Sequence, residues 1–276
     1  MAAKREIPNS FAAPAVAQGY EDQLPAMTEV AAMVVKQAPT MTSESIIHDN
    51  ACGPGIVTSA ILSKFQIAAL PPPKIIATDI APAMVEIAAK KGMSVDARVM
   101  DAKDLGAIAS GSLTHSFTNF LFVRGWDESD MVAFASEIYR TLRAEGGTAV
   151  KAAWKFHEWH DVVKDAVEAT RPGGVEALMP KQPWSDEMLV RDVFVKAGFA
   201  LENISLRTVS VTPAEPVDWD SEVWKGLLAA INVGVMRNMT VEEKRHYQEN
   251  LRKRVMQDWE ERRKFRWEAW ILTATK

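Results

Sequence analysis

The chain has 276 residues, 47% of them hydrophobic and 25% charged, which is typical of a globular protein with an ample core. Its net charge of −4 gives no reason to expect nucleic acid or an anionic membrane as a partner, and no apolar run reaches the length of a membrane span. A single cysteine excludes an intramolecular disulfide and a thiolate-rich metal site, and the first residues lack the apolar segment of a secretory signal. We therefore expect a cytoplasmic protein, either a monomer or a homodimer.

The first 44 residues show no strand-like alternation. Residues 24–37 have the apolar spacing of an amphipathic helix, and Tyr20 precedes them in a stretch of small residues. Two interpretations stay open for this part of the chain. It either covers a substrate pocket with Tyr20 as a polar-tipped aromatic contact, or it packs on the sheet and leaves Tyr20 at the surface.

A short apolar run then leads into Asp49, a turn of small residues that includes Ala51, Gly53 and Gly55, and a helical pattern over residues 56–65. Glycines here allow a ligand to approach the backbone closely, in the crevice where open α/β sheets bind ligands. The third glycine of the dinucleotide fingerprint is missing, and a carboxylate repels a pyrophosphate but attracts an ammonium group. These features favour S-adenosylmethionine over NAD.

Strand and helix patterns alternate from residue 45 to residue 150, which predicts a doubly wound α/β fold with a parallel sheet. Asp79 ends the second predicted strand (74–79), where a carboxylate is placed to accept both hydroxyls of a ribose. Because both S-adenosylmethionine and NAD contain a ribose, this role does not distinguish the two cofactors. Asp101 follows the third predicted strand (94–100), and Asn119 lies near the end of the fourth.

The pattern Asp49-x-x-Cys52-Gly53-x-Gly55 resembles motif I of the class I S-adenosylmethionine-dependent methyltransferases. Among them, the small-molecule enzymes related to the ubiquinone and menaquinone C-methyltransferases are the most similar. Ala51 stands where this family usually has glycine, and Glu145 replaces the proline of its Leu-Lys-Pro-Gly-Gly turn. The resemblance covers about residues 45–154.

This resemblance implies a Rossmann-like, seven-stranded, mostly parallel sheet with helical cap elements, in which residues 266–275 form an inserted antiparallel strand. It also implies an Asp-Ala pair that holds the adenine. The cofactor-binding residues that we expect on this basis are Asp49, Ala51, Gly53, Gly55, Asp79, Ile80, Met84, Asp101, Ala102, Asn119 and Phe120.

Beyond residue 154 we expect substrate-side helices and the last strands, within a single domain made of an N-terminal helical cap (1–44), a cofactor-binding core (45–154) and a substrate-side part (155–276). Helices are predicted at 161–169, at 186–196 with Ser185 as its N-cap, and at 219–234 and 241–263.

The fifth predicted strand (148–154) leads directly to a group of aromatic and histidine residues. Trp154 is placed to shape a substrate pocket, and His157 is our candidate general base if the acceptor must lose a proton. Aromatic packing with solvated histidines is the alternative. His157 and His160 have the spacing of a shared helix face, but no third ligand is evident nearby, so we expect no metal site. His115 lies within a strand and is expected to be buried and structural.

The expected reaction is methyl transfer to a small, largely apolar or aromatic metabolite, of the kind made in secondary metabolism. Three other possibilities remain at this stage. One is an S-adenosylmethionine-binding enzyme that catalyses a non-methylating cyclisation or dehydration. The second is a degenerate fold kept as a binding partner, and the third is a nicotinamide dehydrogenase.

Overall fold

A computed structural model describes residues 25–121, 126–178, 186–211, 235–236, 238–262 and 267–276. Seven strands form one sheet, and in chain order they are β1 (Ile46–Asn50), β2 (Lys74–Asp79), β3 (Val95–Val99), β4 (His115–Asn119), β5 (Thr148–His157), β6 (Ile204–Val211) and β7 (Trp267–Thr275). The helices of the described ranges are α1 (Pro25–Gln37), α2 (Ile56–Ile67), α3 (Pro82–Ala88), α4 (Glu128–Thr141), α5 (Glu158–Thr170), α6 (Val175–Leu178), α7 (Glu187–Lys196) and α8 (Val241–Arg262).

The strand order is β3-β2-β1-β4-β5-β7-β6. Strands β1 to β5 are parallel to one another, whereas β7 is antiparallel to both of its neighbours, β5 and β6. The predicted seven-stranded sheet with an inserted antiparallel last strand is therefore confirmed. The strand order reverses between β1 and β4, so their carboxyl ends open onto the crevice where such sheets bind ligands.

Two hydrophobic clusters cover the two faces of the sheet. On one face Val34 of α1, Ile61 of α2 and Leu251 of α8 pack with strand residues such as Val150. The other face lies under α4 and α7, with Phe134 at the centre of its cluster. With both faces covered, the exposed backbone of the parallel strands is at their ends, and the carboxyl ends carry the predicted site residues. None of the helices in the described ranges is both long and apolar enough to cross a membrane.

Three local predictions need correction. β1 runs through Asn50, so Asp49 lies within the strand and not beyond its end. β5 continues to His157 and α5 starts at Glu158, because a register shift near Trp154 lets the strand stay paired with β7. The N-cap of α7 is Asp186, whose carboxylate accepts from the backbone of Met188 and Leu189. The helix predicted at 219–234 lies outside the described residues.

His115 is 4% exposed, and its Nδ1 lies 2.9 Å from the hydroxyl of Thr114. Burial is the main cause that lowers the pKa of His115 to about 4, so the ring is neutral at neutral pH. The predicted burial of His115 is confirmed.

Candidate active site

Asp49 joins β1 to the first turn of α2. Its Oδ2 accepts hydrogen bonds from the backbone N–H of Thr58 at 3.0 Å and from the Thr58 hydroxyl at 2.7 Å. Thr58 is the third residue of the helix, so Asp49 satisfies one of the backbone N–H groups that a helix start leaves without an intrahelical acceptor. Burial raises the pKa of Asp49 to about 7, and the nearby charge of Asp79 adds to that increase.

The turn between β1 and α2 holds three residues in the left-handed region. Ala51 and Gly53 have φ values of 53° and 54°, and Gly55, the N-cap of α2, has a φ of 88°. Glycine adopts this conformation without strain, whereas Ala51 does so at a cost of about 1 kcal/mol. The chain thus turns sharply and leaves its backbone open to a ligand at the sheet edge.

Asp79, at the end of β2, accepts one hydrogen bond from this turn and one from the backbone that follows β2. Its Oδ2 accepts from the backbone N–H of Gly53 at 2.9 Å, and its Oδ1 accepts from that of Ala81 at 2.9 Å. Burial raises the pKa of Asp79, and these backbone hydrogen bonds oppose the increase. Each carboxylate oxygen has capacity for more than one hydrogen bond, so Asp79 is oriented by the backbone and still able to accept from a ligand.

The other residues predicted around the adenosine lie beside these strands. Met84, in α3, is 3% exposed, whereas Ile80 is 42% exposed directly after β2. Asp101, beyond β3, accepts from the backbone N–H of Lys103 at 2.9 Å, and Ala102 is buried. Lys103 forms an ion pair with Asp130 at the start of α4, which links this loop to that helix.

The carboxyl ends of β4 and β5 carry a different set of groups. The Oδ1 atom of Asn119 is buried and has no hydrogen-bond partner among the described residues. Phe120 follows with a φ of 53°, and its ring stacks on that of Trp154, with centroids 4.1 Å apart and an angle of 19° between the planes. This half of the edge therefore combines an unsatisfied acceptor with an aromatic surface.

Comparison with known proteins agrees with this geometry. A family model of the methyltransferase domain matches residues 47–146, which span the whole set of strand ends from Asp49 to Asn119. Methyltransferase tpcH of Aspergillus fumigatus is 29% identical over 198 residues, 67% of either chain. Acetylaranotin bis-thiomethyltransferase of Aspergillus terreus is 25% identical over 244 residues, 83% of this chain and 81% of that protein.

The matched domain and these relatives support a class I S-adenosylmethionine-dependent methyltransferase. The fold agrees: phosphoethanolamine N-methyltransferase 2 of Haemonchus contortus, solved in complex with S-adenosyl-L-methionine, superposes with a TM-score of 0.56 at 11% identity, over 99% of this chain and 60% of that one. The protein is thus a methyltransferase with S-adenosylmethionine as its cofactor, as predicted. The similarity to the quinone C-methyltransferases stays a prediction.

The described residues of this methyltransferase fit that cofactor. Burial disfavours the ionised form of the Asp49 carboxyl and raises its pKa, and a ligand that carries positive charge favours that ionised form. Asp79 is oriented by the backbone as an acceptor for ribose hydroxyls. The unpartnered Oδ1 of Asn119 is an acceptor, and the ammonium group of the cofactor is a donor of the matching kind.

The sequence interpretation missed the partner of Asp49 and a buried polar layer below the crevice. The ring of His48 bonds the Thr78 hydroxyl at 2.9 Å, and that hydroxyl also lies 3.5 Å from the Oδ1 of Asn50. Lys151 is 1% exposed on the same face, 5.8 Å from the centre of the Phe134 ring, and burial lowers its pKa to about 7. The signal was present in the sequence: alternate strand positions carry polar residues where a sheet covered on both faces requires apolar ones.

The structure describes no side-chain position for two of the predicted site residues. Tyr20 lies outside the described residues. The backbone of His157 is described as the last residue of β5, paired with Trp267 of β7, and the structure describes nothing of its side chain.

Proposed function

We propose that this methyltransferase transfers the methyl group of S-adenosylmethionine to a small, largely apolar or aromatic metabolite of secondary metabolism. The observation that supports this most directly is the chemical division of the sheet edge. At β1 and β2 the edge carries carboxylates that accept hydrogen bonds from the backbone. At β4 and β5 it carries the uncharged aromatic rings of Phe120 and Trp154. A relative that by its name methylates thiols of acetylaranotin, a small molecule, adds support.

The cofactor supplies an electrophilic methyl on its sulfonium. The role of the chain is then to orient it: Asp79 accepts the ribose hydroxyls, Asp49 and Asn119 favour the cationic amino-acid part, and Asp101 and Ala102 bind the adenine. Gly53 leaves room for close approach of the ligand, whereas Gly55 makes room for Ala88 and Lys91, which a side chain there would meet. With the electrophile fixed, positioning of the acceptor in line with the sulfonium supplies most of the rate acceleration.

The decisive experiment is incubation of the protein with isotopically methyl-labelled S-adenosylmethionine and a panel of phenols, thiols and amines. Mass spectrometry then follows S-adenosylhomocysteine and the products. We expect S-adenosylhomocysteine to form in equal amount to a labelled product. Conversion of an acceptor without any S-adenosylhomocysteine would instead support the non-methylating cyclisation or dehydration.

We also propose His157 as a general base for acceptors that must lose a proton, with Tyr20 and Trp154 shaping the pocket. The basis for His157 is its backbone position at the carboxyl end of β5, next to the rim formed by Phe120 and Trp154. His157→Ala should lower turnover strongly while leaving the affinity for S-adenosylhomocysteine unchanged. His160→Ala is the matched control, since His160 is exposed in α5. Unchanged turnover in His157→Ala would end this role.

The remaining proposals concern the organisation of the chain. We propose one methyltransferase-like domain, with residues 1–44 as a helical cap, 45–154 as the cofactor-binding core and 155–276 on the substrate side. We further propose that the protein works in the cytoplasm on a small-molecule substrate, as a monomer or a homodimer. Size-exclusion chromatography with light scattering distinguishes those two states.

A further inference from the structure

Two backbone irregularities lie side by side at the carboxyl ends of β4 and β5. Phe120 has a φ of 53°, a conformation that bulky L-residues rarely adopt and that costs of order 1 kcal/mol or more. In β5 the register with β7 shifts between Trp154 and Phe156, which is a β-bulge. Such bulges redirect a side chain and are frequent beside active sites.

Both irregularities affect the same pair of rings. Phe120 and Trp154, here called the aromatic pair, stack at 4.1 Å with an angle of 19° between their planes. Both are half-buried and pack on one side against the hydrophobic cluster that includes Val150 and Ile271. Phe120 directly follows β4, so the pair stands at the edge of the sheet where the crevice opens.

The strand order separates this pair from the adenosine part of the cofactor. Asp79 ends β2 and Asp101 follows β3, on one side of β1. Phe120 follows β4 and Trp154 lies within β5, on the other side. Adjacent strands lie about 4.8 Å apart, so β5 is about 14 Å from β2 across the sheet. A cofactor whose ribose is held at Asp79 leaves the β5 end of the crevice to the acceptor.

We infer that the aromatic pair determines acceptor specificity by stacking a planar, uncharged aromatic ring, and that Phe120 is an acceptor contact and not a cofactor contact. This inference rests on the proposed methyl transfer to a small metabolite. A flat ring extends an existing stack, whereas a saturated ring of the same size presents axial hydrogens and loses the stacking contribution.

The charged residue described directly after Trp154 is directed away from the aromatic pair. Lys155 is the bulged residue next to Trp154, and its ammonium donates to the Thr208 hydroxyl at 3.2 Å and lies 3.7 Å from the carboxylate of Glu187. The lysine is thereby directed towards β6 and α7. It does not supply a counter-ion for an anionic acceptor on the side of the aromatic pair.

The test compares two probes of equal size, 2-naphthol and its saturated counterpart decahydro-2-naphthol, by calorimetry on the full chain saturated with S-adenosylhomocysteine. The wild type should bind 2-naphthol about fivefold more tightly than the saturated probe. Phe120→Leu and Trp154→Leu should each reduce that preference to less than about twofold, with unchanged affinity for S-adenosylhomocysteine. Trp154→Phe keeps a ring and should keep most of the preference.

Phe199→Leu is the matched control. Its ring packs edge-on against Tyr139 at 5.0 Å in the cluster on the opposite face of the sheet. This variant should lose stability but retain the preference for 2-naphthol. Circular dichroism on every variant verifies folding, and the two independent substitutions at Phe120 and Trp154 keep the test valid if one of them does not fold.

Three results would overturn the inference. They are equal binding of the two probes by the wild type, no binding of 2-naphthol at all, and a loss of S-adenosylhomocysteine affinity of more than about tenfold in Phe120→Leu, which would return Phe120 to the cofactor site. Failure of the wild type to bind S-adenosylhomocysteine would contradict the proposed function as well. The two failures are therefore distinguishable.

Discussion

The two halves of the sheet edge differ in how far their polar groups are satisfied. At β1 and β2, the Asp49 and Asp79 carboxylates accept four hydrogen bonds from Thr58, Gly53 and Ala81, so the site is rigid before any ligand binds. At β4 and β5, the Oδ1 of Asn119 has no partner among the described residues, and Phe120 is strained. The β1–β2 half is preorganised for the cofactor, and the β4–β5 half is suited to bind the methyl acceptor.

This difference is reasonable in physical terms. A cofactor shared by a whole family has fixed chemistry, so a fixed set of backbone-oriented acceptors is useful. An acceptor that differs from enzyme to enzyme is recognised by contacts that change with each protein, and here those contacts are two rings set by local backbone irregularities. Variants in the first half should therefore affect cofactor binding and stability, and variants in the second half should affect acceptor choice.

The largest expected effect is that of Asp79→Asn. An amide places an N–H donor opposite the backbone N–H of either Gly53 or Ala81, and it loses the charge that favours two ribose hydroxyls. We expect the affinity for S-adenosylhomocysteine to fall by about 100-fold, as measured by calorimetry. Asp96→Asn is the control, because Asp96 pairs with Arg98 on β3 outside the site and should bind normally. Equal affinities in the two variants would contradict the assignment of Asp79.

The pKa of Asp49 makes cofactor binding depend on pH. Since a cationic ligand favours the ionised carboxylate, S-adenosylmethionine should bind more tightly as the pH rises to about 7 and should displace a proton below it. We expect affinity to fall by up to about tenfold per pH unit below 7. Calorimetry at pH 6 in two buffers of different ionisation enthalpy measures the released proton. The release should disappear in Asp49→Asn, and its persistence there would exclude Asp49 as the source.

The raised pKa of Asp49 has the opposite effect on the stability of the ligand-free protein: a rise in pH lowers the free energy of unfolding. The folded pKa of about 7 lies above the ordinary value of 3.8, so between these pH values the folded chain retains a proton that the unfolded chain has lost. The contribution of Asp49 to the free energy of unfolding should therefore decrease as the pH rises from about 4 to about 7, and remain level above it. Urea titrations of the wild type and Asp49→Asn across this range separate this contribution from that of other groups.

Thr58→Val tests the rigidity of the β1 half. The substitution keeps the shape and the backbone N–H but removes the hydroxyl that donates to Asp49 at 2.7 Å. Because this bond goes to a carboxylate, we expect the free energy of unfolding to fall by about 1.5–2 kcal/mol. Thr141→Val is the control: Thr141 is also fully buried, but its hydroxyl donates only to the helix carbonyls of Glu137 and Ile138. An equal decrease in the free energy of unfolding in both variants would show that the Thr58–Asp49 hydrogen bond contributes no more than a hydroxyl bond to a helix carbonyl.

The smallest expected effect is that of Ala51→Gly, which relieves the left-handed strain in the turn. Glycine also gains entropy in the unfolded chain, so we expect a net stabilisation of only about 0.5 kcal/mol. Ala69 has the same φ of 53° outside the site, so Ala69→Gly should give a similar gain. A loss of stability in Ala51→Gly alone would mean that the Ala51 methyl group makes a contact of its own.

The sequence predicted the first half of the edge better than the second, for a physical reason. Hydrophobic patterning locates the ends of β1, β2 and β3, and the predicted residues lie close to those ends. Asp49 is the penultimate residue of β1, Asp79 is the last residue of β2, and Asp101 follows β3. Gly53 lies in the turn after β1, and the chemistry of these residues follows from their position. The left-handed Phe120 and the bulge at Trp154 depend on contacts between β4, β5 and β7, which are distant in sequence. The extension of β5 to His157 escaped prediction for the same reason, and the Thr58–Asp49 bond required the relative position of α2 and β1.

The most direct test of the divided edge is a crystal structure of the protein with S-adenosylhomocysteine bound. We predict ribose hydroxyls within hydrogen-bonding distance of the Asp79 carboxylate, the ligand amino group near the Oδ1 of Asn119, and the aromatic pair free of contact with the ligand. A ligand whose adenosine stacks on Phe120 or Trp154, away from Asp79, would contradict the division into a cofactor half and an acceptor half.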